Sequence, residues 1–275
     1  MKIIPLIVTF LFLIAAGTVS SPAQNATTVE PLLVYKALQE KNCRHWVDSV
    51  MDKLSFKEKV SQLFIYTIAP VDTKQNLDLL REVIDTYKVG GLLFSGGKMQ
   101  KQVELTNRAQ RQAKVPLMIT FDGEWGLSMR LHGTPVFPRN MVLGCIRDNR
   151  LLYEYGREVA RQCRQIGVQV NFAPVADVNI NPKNPVINTR SFGEDPKQVA
   201  NKVVAYASGL EGGGVLSVCK HFPGHGDTDV DSHKALPILP FTRERLDSVE
   251  LYPFKEAIRA GLGGMMVGHL QVPVI

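Results

Sequence analysis

The sequence predicts an α/β protein of the (β/α)8 TIM-barrel type, with about six of the eight strand–helix units present. Short, almost continuous apolar runs alternate with helical patterns, which indicates parallel strands buried on both faces. Polar residues follow several of these runs, and catalytic groups at many strand ends are typical of this barrel. A doubly wound open sheet would concentrate them at one switch point instead. The runs are QLFIYTIA, VGGLLFS, PLMITFD, VQVNFAPVAD, VLSVCKH and GGMMVGH.

The first residues have the composition of a secretory signal. Lys2 precedes an apolar run over residues 3–16, and the tripeptide ending at Ala23 fits the small-x-small cleavage rule. The run is short for a membrane anchor, which needs ~20 residues. We therefore expect a signal peptide over residues 1–23, no stable membrane span after its removal, and an exported protein that is periplasmic or secreted.

Two further segments follow the signal. Residues 24–54 form a helical lead-in, with a helix expected from Val34 to Met51. Ser55 and Glu58 have the spacing of a capping box and mark the start of the barrel domain, which we expect over residues 55–275.

Two helices of the domain show clear apolar periodicity. In DNRLLYEYGREVARQCRQIG, apolar residues recur every four positions from Leu151 to Cys163, and every seven from Leu152 to Ile166. In DPKQVANKVVAYASGLEGGG, the same spacing starts at Val199, and glycines end the helix. Both patterns predict helices that cover the sheet.

Charge and cysteine content exclude some functions. The formal net charge is +6, but Lys and Arg alternate with apolar positions, as in NRAQRQAK, so we expect solvated helix faces and no nucleic-acid partner. Four cysteines in an exported chain could form two disulfides. However, Cys163 falls on an apolar helix face and Cys219 within an apolar run, which favours buried free thiols.

The stretch HFPGHGDTDVDSH, residues 221–233, concentrates titratable groups on a loop rich in Gly and Pro. Asp231 and His233 are one residue apart, so on an extended segment they would project to the same side. A carboxylate beside an imidazole fixes its tautomer and raises its pKa, which suits proton transfer. Gly224 and Gly226 would allow the loop to swing over a site.

Two alternatives for this loop remain open on the residues alone. His221, His225, Asp231 and His233 could bind a metal, although their spacing is not that of a helical H-E-x-x-H site. The Asp-x-His pair could also simply hold a turn through a local hydrogen bond.

Several blocks of the chain resemble glycoside hydrolase family 3, in its bacterial β-N-acetylglucosaminidase branch. KHFPGHGDTDVDSHKALP carries the pattern KHFPGHG followed by D-S-H and then Leu-Pro. Further blocks are GGLLFSGG, ITFDGEWG, NFAPVADV and NPVINTRSFGEDP. A resemblance in this many blocks is highly specific, and it implies a (β/α)8 barrel.

The resemblance implies roles for individual residues. His233 would be the general acid/base, supported by Asp231 as a dyad on a mobile loop. Sugar hydroxyls would be held by Lys220, His221, Arg190 and Asp122. Without the resemblance, Asp122 is a strand-end cap and Arg190 a surface partner of Glu194 or Asp195.

Four other residues have weaker assignments. The family's DQEGGR-like run is here DGEWGLSMR, so its Arg is either replaced by Arg130 or lost. His269, at the end of the last apolar run, is a candidate for the substrate pocket. His225 would support the loop, and Asp177 would be a structural carboxylate at a strand end.

The implied activity is removal of terminal β-linked N-acetylglucosamine or another N-acetylhexosamine by a retaining mechanism. The substrate would be an amino-sugar glycan, such as peptidoglycan fragments, chitin oligomers or other glycans. Neither a metal nor an organic cofactor is expected. Transfer to phosphate in place of water remains open.

The family's nucleophile is an Asp in a segment of the type S/T-D-x-L after the seventh strand. No such segment occurs here, so we expect this Asp beyond Ile275 and expect residues 1–275 alone to be inactive and poorly soluble. The alternatives are a non-catalytic sugar-binding protein without the nucleophile and a metal-dependent hydrolase.

Overall fold

The computed structural model describes residues 40–274. The predicted signal peptide, residues 1–23, lies outside the described residues. So does the first part of the helix expected from Val34 to Met51, whose described part is α1, Lys41–Met51.

The main sheet has six parallel strands, one within each apolar run of the sequence. Its strand order is β1-β2-β4-β6-β7-β8, so each strand pairs with the strand before it in this sheet. Successive neighbours in chain order are the arrangement of a (β/α) barrel, whereas a doubly wound sheet reverses its order. The six strands are Ile65–Ile68 (β1), Gly91–Phe94 (β2), Met118–Phe121 (β4), Val170–Asn171 (β6), Leu216–Phe222 (β7) and Gly264–Val267 (β8). Two short strands, Gly97–Lys98 (β3) and Leu131–His132 (β5), pair separately.

Helices occupy the connections between the strands. Ser55 and Glu58 form the predicted capping box at the start of α2, and Asp148 and Asp195 cap α6 and α7 with their carboxylates. None of the described helices is long and apolar enough to cross a membrane. The helices are α1, Phe56–Ser61 (α2), Lys74–Glu82 (α3), Met99–Gln112 (α4), Asn140–Gly144 (α5), Asn149–Gln165 (α6), Pro196–Gly212 (α7), Arg243–Ser248 (α8) and Tyr252–Arg259 (α9).

The long helices α6 and α7 pack closely because each has a glycine at the crossing. A Cβ on Gly156 would lie 2.3 Å from the carbonyl oxygen of Tyr206, and one on Gly209 would lie 2.1 Å from that of Tyr153. The residues of the seven-residue apolar recurrence, Leu152, Val159 and Ile166, are buried. Leu151 is instead 57% exposed, so its assignment to the apolar face was wrong: it lies one helical position away from the buried Leu152.

The cysteines are free thiols, as the apolar surroundings of two of them predicted. Cys163 on α6 and Cys219 on β7 are fully buried, and burial raises the pKa of each thiol to about 12. Cys43 and Cys145 are also unpaired. The two disulfides that remained possible for four cysteines are therefore not formed.

The two outermost strands of the described sheet expose apolar side chains. Leu63 and Phe64, just before β1, are 82% and 60% exposed, and Val267 on β8 is 71% exposed. A group of buried charged side chains lies elsewhere, near the carboxyl ends of the central strands β4 and β7.

Candidate active site

Charged side chains from separate parts of the chain converge at one edge of the sheet. Asp122 and Glu124 follow β4, Lys220 and His221 lie near the end of β7, and Arg190 comes from the loop before α7. They meet because the carboxyl ends of parallel neighbouring strands share an edge.

Four of these residues, together with Arg130, form what we call the carboxylate–cation cluster: Asp122, Glu124, Arg130, Arg190 and Lys220. The Lys220 ammonium bridges the two carboxylates, at 2.5 Å from Asp122 Oδ1 and 2.8 Å from Glu124 Oε1. Arg190 binds Glu124 through two bonds, of 2.6 Å from Nη2 to Oε1 and 2.9 Å from Nε to Oε2. Arg130 donates to the other oxygen of Asp122.

Burial makes this cluster a fixed feature of the fold. Glu124 is fully buried and Lys220 is 2% exposed. Burial alone would raise the pKa of Glu124, but the charge of Lys220 and the bonds from Arg190 outweigh it and hold that pKa below its usual value. Burial would likewise raise the pKa of Asp122. Lys220 and Arg130 outweigh it, so this pKa is also lowered. Both carboxylates are therefore ionised at neutral pH.

The cluster changes the interpretation of three predicted residues. Arg190 is bound to Glu124 and is not a surface partner of Glu194 or Asp195, because the loop directs its guanidinium inward. Asp122 pairs with two cations, so it is more than a strand-end cap. Arg130 reaches Asp122 from the turn after β4, so an arginine is present at this carboxylate despite the altered DGEWGLSMR segment.

An asparagine holds the backbone between the two carboxylates. The Asn171 side chain at the end of β6 accepts from the Gly123 N–H at 3.0 Å and donates to the Gly123 carbonyl at 3.1 Å. This pair of bonds fixes Gly123, and with it the directions of Asp122 and Glu124.

A second buried carboxylate anchors the base of the His-rich loop. Asp177 is fully buried and accepts hydrogen bonds from the backbone N–H groups of His221 and His225, and its Oδ2 lies 2.7 Å from His221 Nδ1. Burial would raise the pKa of Asp177, but the His221 ring and the two N–H groups lower it. His221 Nε2 lies 3.3 Å from Arg190 Nη2, which connects this anchor to the cluster.

The same part of the loop is packed against the chain after β6. His225 is 1% exposed, its Nδ1 lies 2.6 Å from Thr228 Oγ1, and Asn184 donates to its carbonyl at 2.8 Å. A Cβ on Gly226 would lie 1.8 Å from the Val178 carbonyl oxygen. The expectation that Gly224 and Gly226 let the loop swing is therefore wrong: Gly226 allows close packing, and both glycines are buried.

The tip of the loop contains the Asp231–His233 pair. Asp231 Oδ1 accepts from the His233 backbone N–H at 2.9 Å and lies 2.8 Å from the ring Nδ1. The backbone N–H and then the ring lower the pKa of Asp231. The expected extended geometry is wrong, because a carboxylate that accepts an N–H two residues on closes a turn. The pair nevertheless forms.

The dyad and the cluster are separate in this structure. The His233 side chain is 83% exposed, and within the described part of the chain it makes no hydrogen bond to the cluster. His269 lies in an exposed bend after β8 and likewise makes no hydrogen bond to the described cluster residues. Its role in a pocket stays a prediction.

A metal site is not preformed in the described residues. No group of three or more His, Cys, Asp or Glu side chains there has the geometry to hold a metal ion. His221 and His225 are held by Asp177 and Thr228, and His233 lies out on the loop tip.

Sequence reasoning missed three organising residues. Glu124 was assigned no role, although it follows Asp122 by two residues, a spacing that can place both carboxylates on one side. Asn171 and Asn184 carry no comparable signal, because their partners are backbone groups distant in sequence. The roles of these two asparagines become apparent only in the folded structure.

The chain is similar to several known proteins. It is 38% identical over 210 residues to beta-hexosaminidase A of Pseudoalteromonas piscicida, which covers 71% of this chain and 35% of that protein. A solved glycoside hydrolase family 3 beta-N-acetylglucosaminidase from Paenibacillus sp. str. FPU-7 is 38% identical, with a TM-score of 0.75 over 81% of this chain and 43% of that one. A solved beta-glucoside phosphorylase, BglX, is 26% identical, with a TM-score of 0.80 over 86% of this chain and 42% of that one.

The chain thus spans about a third to a half of the length of these relatives. The structural similarity confirms the predicted barrel type of α/β fold. The family model of the glycosyl hydrolase family 3 N-terminal domain matches residues 55–275, so the chain belongs to glycosyl hydrolase family 3.

Proposed function

We propose that the protein hydrolyses the bond to a terminal β-linked N-acetylglucosamine, or another N-acetylhexosamine, by a retaining mechanism. The observation that carries this proposal is the hydrogen-bonded Asp231–His233 pair on a loop whose base is joined to the buried cluster. The names of the hexosaminidase and acetylglucosaminidase relatives support the choice of sugar.

His233 would be the general acid/base. Its Nδ1 is held by Asp231, which leaves Nε2 to donate a proton to the leaving oxygen and later to remove one from the incoming water. Asp231 stays ionised and stabilises the protonated ring as it forms. Because His233 is exposed while residues 223–226 are buried, the loop tip beyond Thr228 would move to carry the ring to the substrate.

The cluster would bind the sugar that is removed. Asp122 offers acceptors to hydroxyl groups, and Arg190, Lys220 and His221 offer donors, all fixed before the substrate arrives. A retaining mechanism also needs a carboxylate that attacks the anomeric carbon as the bond to the leaving oxygen breaks, and that water later displaces. None of the described carboxylates at the site is assigned this role, because Asp122, Glu124 and Asp177 are each held by cations or N–H groups. The substrate would be an amino-sugar glycan that an exported enzyme can reach: peptidoglycan fragments, chitin oligomers or other glycans.

Transfer to phosphate is a second candidate, favoured by the similarity to a beta-glucoside phosphorylase. A histidine acid/base repels an incoming anion less than a carboxylate would. Release of a sugar 1-phosphate when inorganic phosphate is added distinguishes this reaction from hydrolysis.

The test is His233→Ala in the full-length protein, measured on two substrates. We expect kcat to fall about 10²–10⁴-fold on a disaccharide, whose leaving group needs protonation, and far less on a 4-nitrophenyl glycoside. His45→Ala, which removes an exposed histidine on α1, is the matched control. Equal losses on both substrates would contradict the acid role, and binding without turnover in the unaltered protein would favour a sugar-binding function.

A further inference from the structure

A single arginine connects the two ends of the loop that carries the Asp231–His233 pair. Arg245 lies on α8, which follows this loop in the chain. Its Nη2 donates to Asp227 Oδ2 at 2.8 Å, and its guanidinium carbon lies 4.6 Å from the centre of the Phe241 ring. Asp227 precedes the pair and Phe241 follows it, so Arg245 contacts the chain on both sides of the loop tip.

A buried carboxylate fixes the position of Arg245. The same Nη2 donates to Glu250 Oε1 at 2.9 Å, and Glu250 is only 3% exposed. A Cβ on Gly224 would lie 2.8 Å from the Glu250 Cβ, so the buried part of the loop packs directly against this side chain. Hydrogen bonds between charged groups are short and strong. Arg245 is therefore a fixed point to which Asp227 is attached.

The chain before the loop tip is also held by the segment that follows β6. Asn184 donates to the His225 carbonyl at 2.8 Å, and Asn181 donates to the Thr228 carbonyl at 3.3 Å. Asp227 lies between these two carbonyl groups in the chain. The fixed part of the loop therefore extends as far as Thr228.

The chain after the loop tip is fixed again at Pro237. The Pro237 carbonyl accepts from the Gln271 N–H at 2.9 Å, and the Leu239 N–H donates to the Gln271 carbonyl at 2.9 Å. Leu239 is fully buried and packs with Leu246 of α8 in a small apolar cluster. Between the two fixed ends, every residue from 229 to 236 is exposed or half-buried. These residues are the loop tip.

Fixed ends restrict the motion of the loop tip. A segment whose ends are held at a constant separation has fewer conformations than one with a free end, so fewer wrong positions of His233 compete with the productive one. Placement matters because a displacement of about 1 Å at a reacting group can cost about 10²-fold in rate. Contacts of one side chain on both sides of the tip keep that separation constant.

We propose that Arg245 is a positioning residue. By linking Asp227 to Phe241, it holds the two ends of the loop tip together and limits the tip to a hinged motion that brings His233 and Asp231 to the carboxylate–cation cluster. Arg245 acts through the dyad and does not contact the substrate. The kinetic part of this inference rests on the proposed function, because it requires His233 to transfer the proton.

The first experiment compares Asp227→Ala with the unaltered full-length protein on two substrates. We expect kcat to fall about tenfold on a disaccharide of N-acetylglucosamine and less than about twofold on the 4-nitrophenyl glycoside, because only the disaccharide needs a well-placed proton donor. KM should stay within about twofold on both, since the cluster is unchanged. A purely structural role of Asp227 would instead lower kcat equally on both substrates.

The second experiment does not depend on turnover. Trypsin cleaves after lysine, and Lys234 is exposed in the loop tip. Loss of one fixed end increases the population of open conformations that a protease can bind. We therefore expect native Asp227→Ala to be cut at Lys234 about three- to tenfold faster than the unaltered protein.

Further variants isolate the contact. Asp227→Asn keeps an acceptor for Arg245 and should restore part of both properties. Asp227→Ala combined with Arg245→Met should lose no more than Arg245→Met alone, because both changes remove the same bond. If Arg245→Met does not fold, Asp227→Ala decides the question. Asp247→Ala, which removes a carboxylate of α8 paired with the exposed Arg243 and Lys255, is the matched control and should change neither property.

The outcomes separate this inference from the proposed function. Equal losses of kcat on the two substrates, or unchanged kinetics with unchanged cleavage, overturn the role of Arg245. A substrate-dependent loss in His233→Ala but not in Asp227→Ala would leave the proposed function standing and also remove that role. Faster cleavage of Asp227→Ala, together with full activity of His233→Ala on the disaccharide, would retain Arg245 as the residue that restrains the tip and overturn the acid role of His233.

Discussion

Two side-chain pairs of the candidate site, Glu124 with Lys220 and Asp231 with His233, differ mainly in their burial. Glu124 and Lys220 are almost inaccessible to solvent, whereas the His233 side chain is 83% exposed beside Asp231. Buried charges are costly unless paired, so the first pairing is required by the fold. The exposed pair contributes little stability and is free to move. In terms of the proposed function, the comparison separates a rigid region that would position substrate from a movable one that would transfer protons.

The largest effect on the free energy of unfolding is expected from Glu124→Leu, which breaks the buried pairing. It leaves Arg190 and Lys220 in the interior without one of their carboxylate partners, which costs about 3–5 kcal/mol in the free energy of unfolding. Urea denaturation measures the loss. Glu104→Leu removes an exposed carboxylate paired with Lys101 and should change stability by less than about 0.5 kcal/mol. Similar losses in both variants would show that burial does not distinguish the pairs.

A smaller effect on the free energy of unfolding is expected when the pH is lowered. Burial opposes ionisation of Asp122, Glu124 and Asp177, but their donors and cations outweigh it, so folding lowers each pKa from its ordinary 3.8 or 4.5. Such groups contribute stability that is complete above the unfolded pKa and is lost as pH falls through the folded pKa. We therefore expect the free energy of unfolding to decline below about pH 4.5. Denaturation curves from pH 7 to 3 measure this decline.

The matched variant for the acid experiment is Glu124→Gln. It removes one of the titrating carboxylates while keeping the shape of the side chain, so its stability should depend less steeply on pH than that of the unaltered protein. Parallel declines in the two proteins would assign the acid sensitivity to other carboxylates.

The smallest effect on stability is expected from Asp231→Ala. Its partner is exposed, so the free energy of unfolding should change by less than about 0.5 kcal/mol. Hydrogen exchange at the His221 and His225 amides, which are bound by Asp177, should also be unchanged. A loss above about 1 kcal/mol would show that the dyad holds the loop in place, against the separation described above.

Much of the fold was predictable because each apolar run carries a local signal. The runs identified the six strands of the sheet, and Ser55 with Glu58 identified the start of α2. The error at Leu151 arose because two recurrences overlap on one helix, and only the packing of the folded chain decides which face is buried.

The candidate site was predictable in its residue types and less so in its geometry. The strand-end positions of Asp122 and Lys220 suggested that they would meet. The packing of Gly226 against Val178 could not be read from the sequence, because a glycine that permits motion and one that permits close contact look the same there. The turn at Asp231 was only one of the alternatives from the sequence, because the choice between a turn and an extended segment depends on which backbone group the carboxylate accepts.

The strand order of the main sheet has a consequence for how the chain acquires its structure. Since the order in space is the order along the chain, every strand of this sheet after β1 meets, as it leaves the ribosome, a partner that has already been made. Pairing from β1 to β8 needs only loops of one strand–helix unit to close, never the whole chain at once. Assembly can therefore follow synthesis, with β4 in place before the lysine of β7 arrives to bridge its two carboxylates.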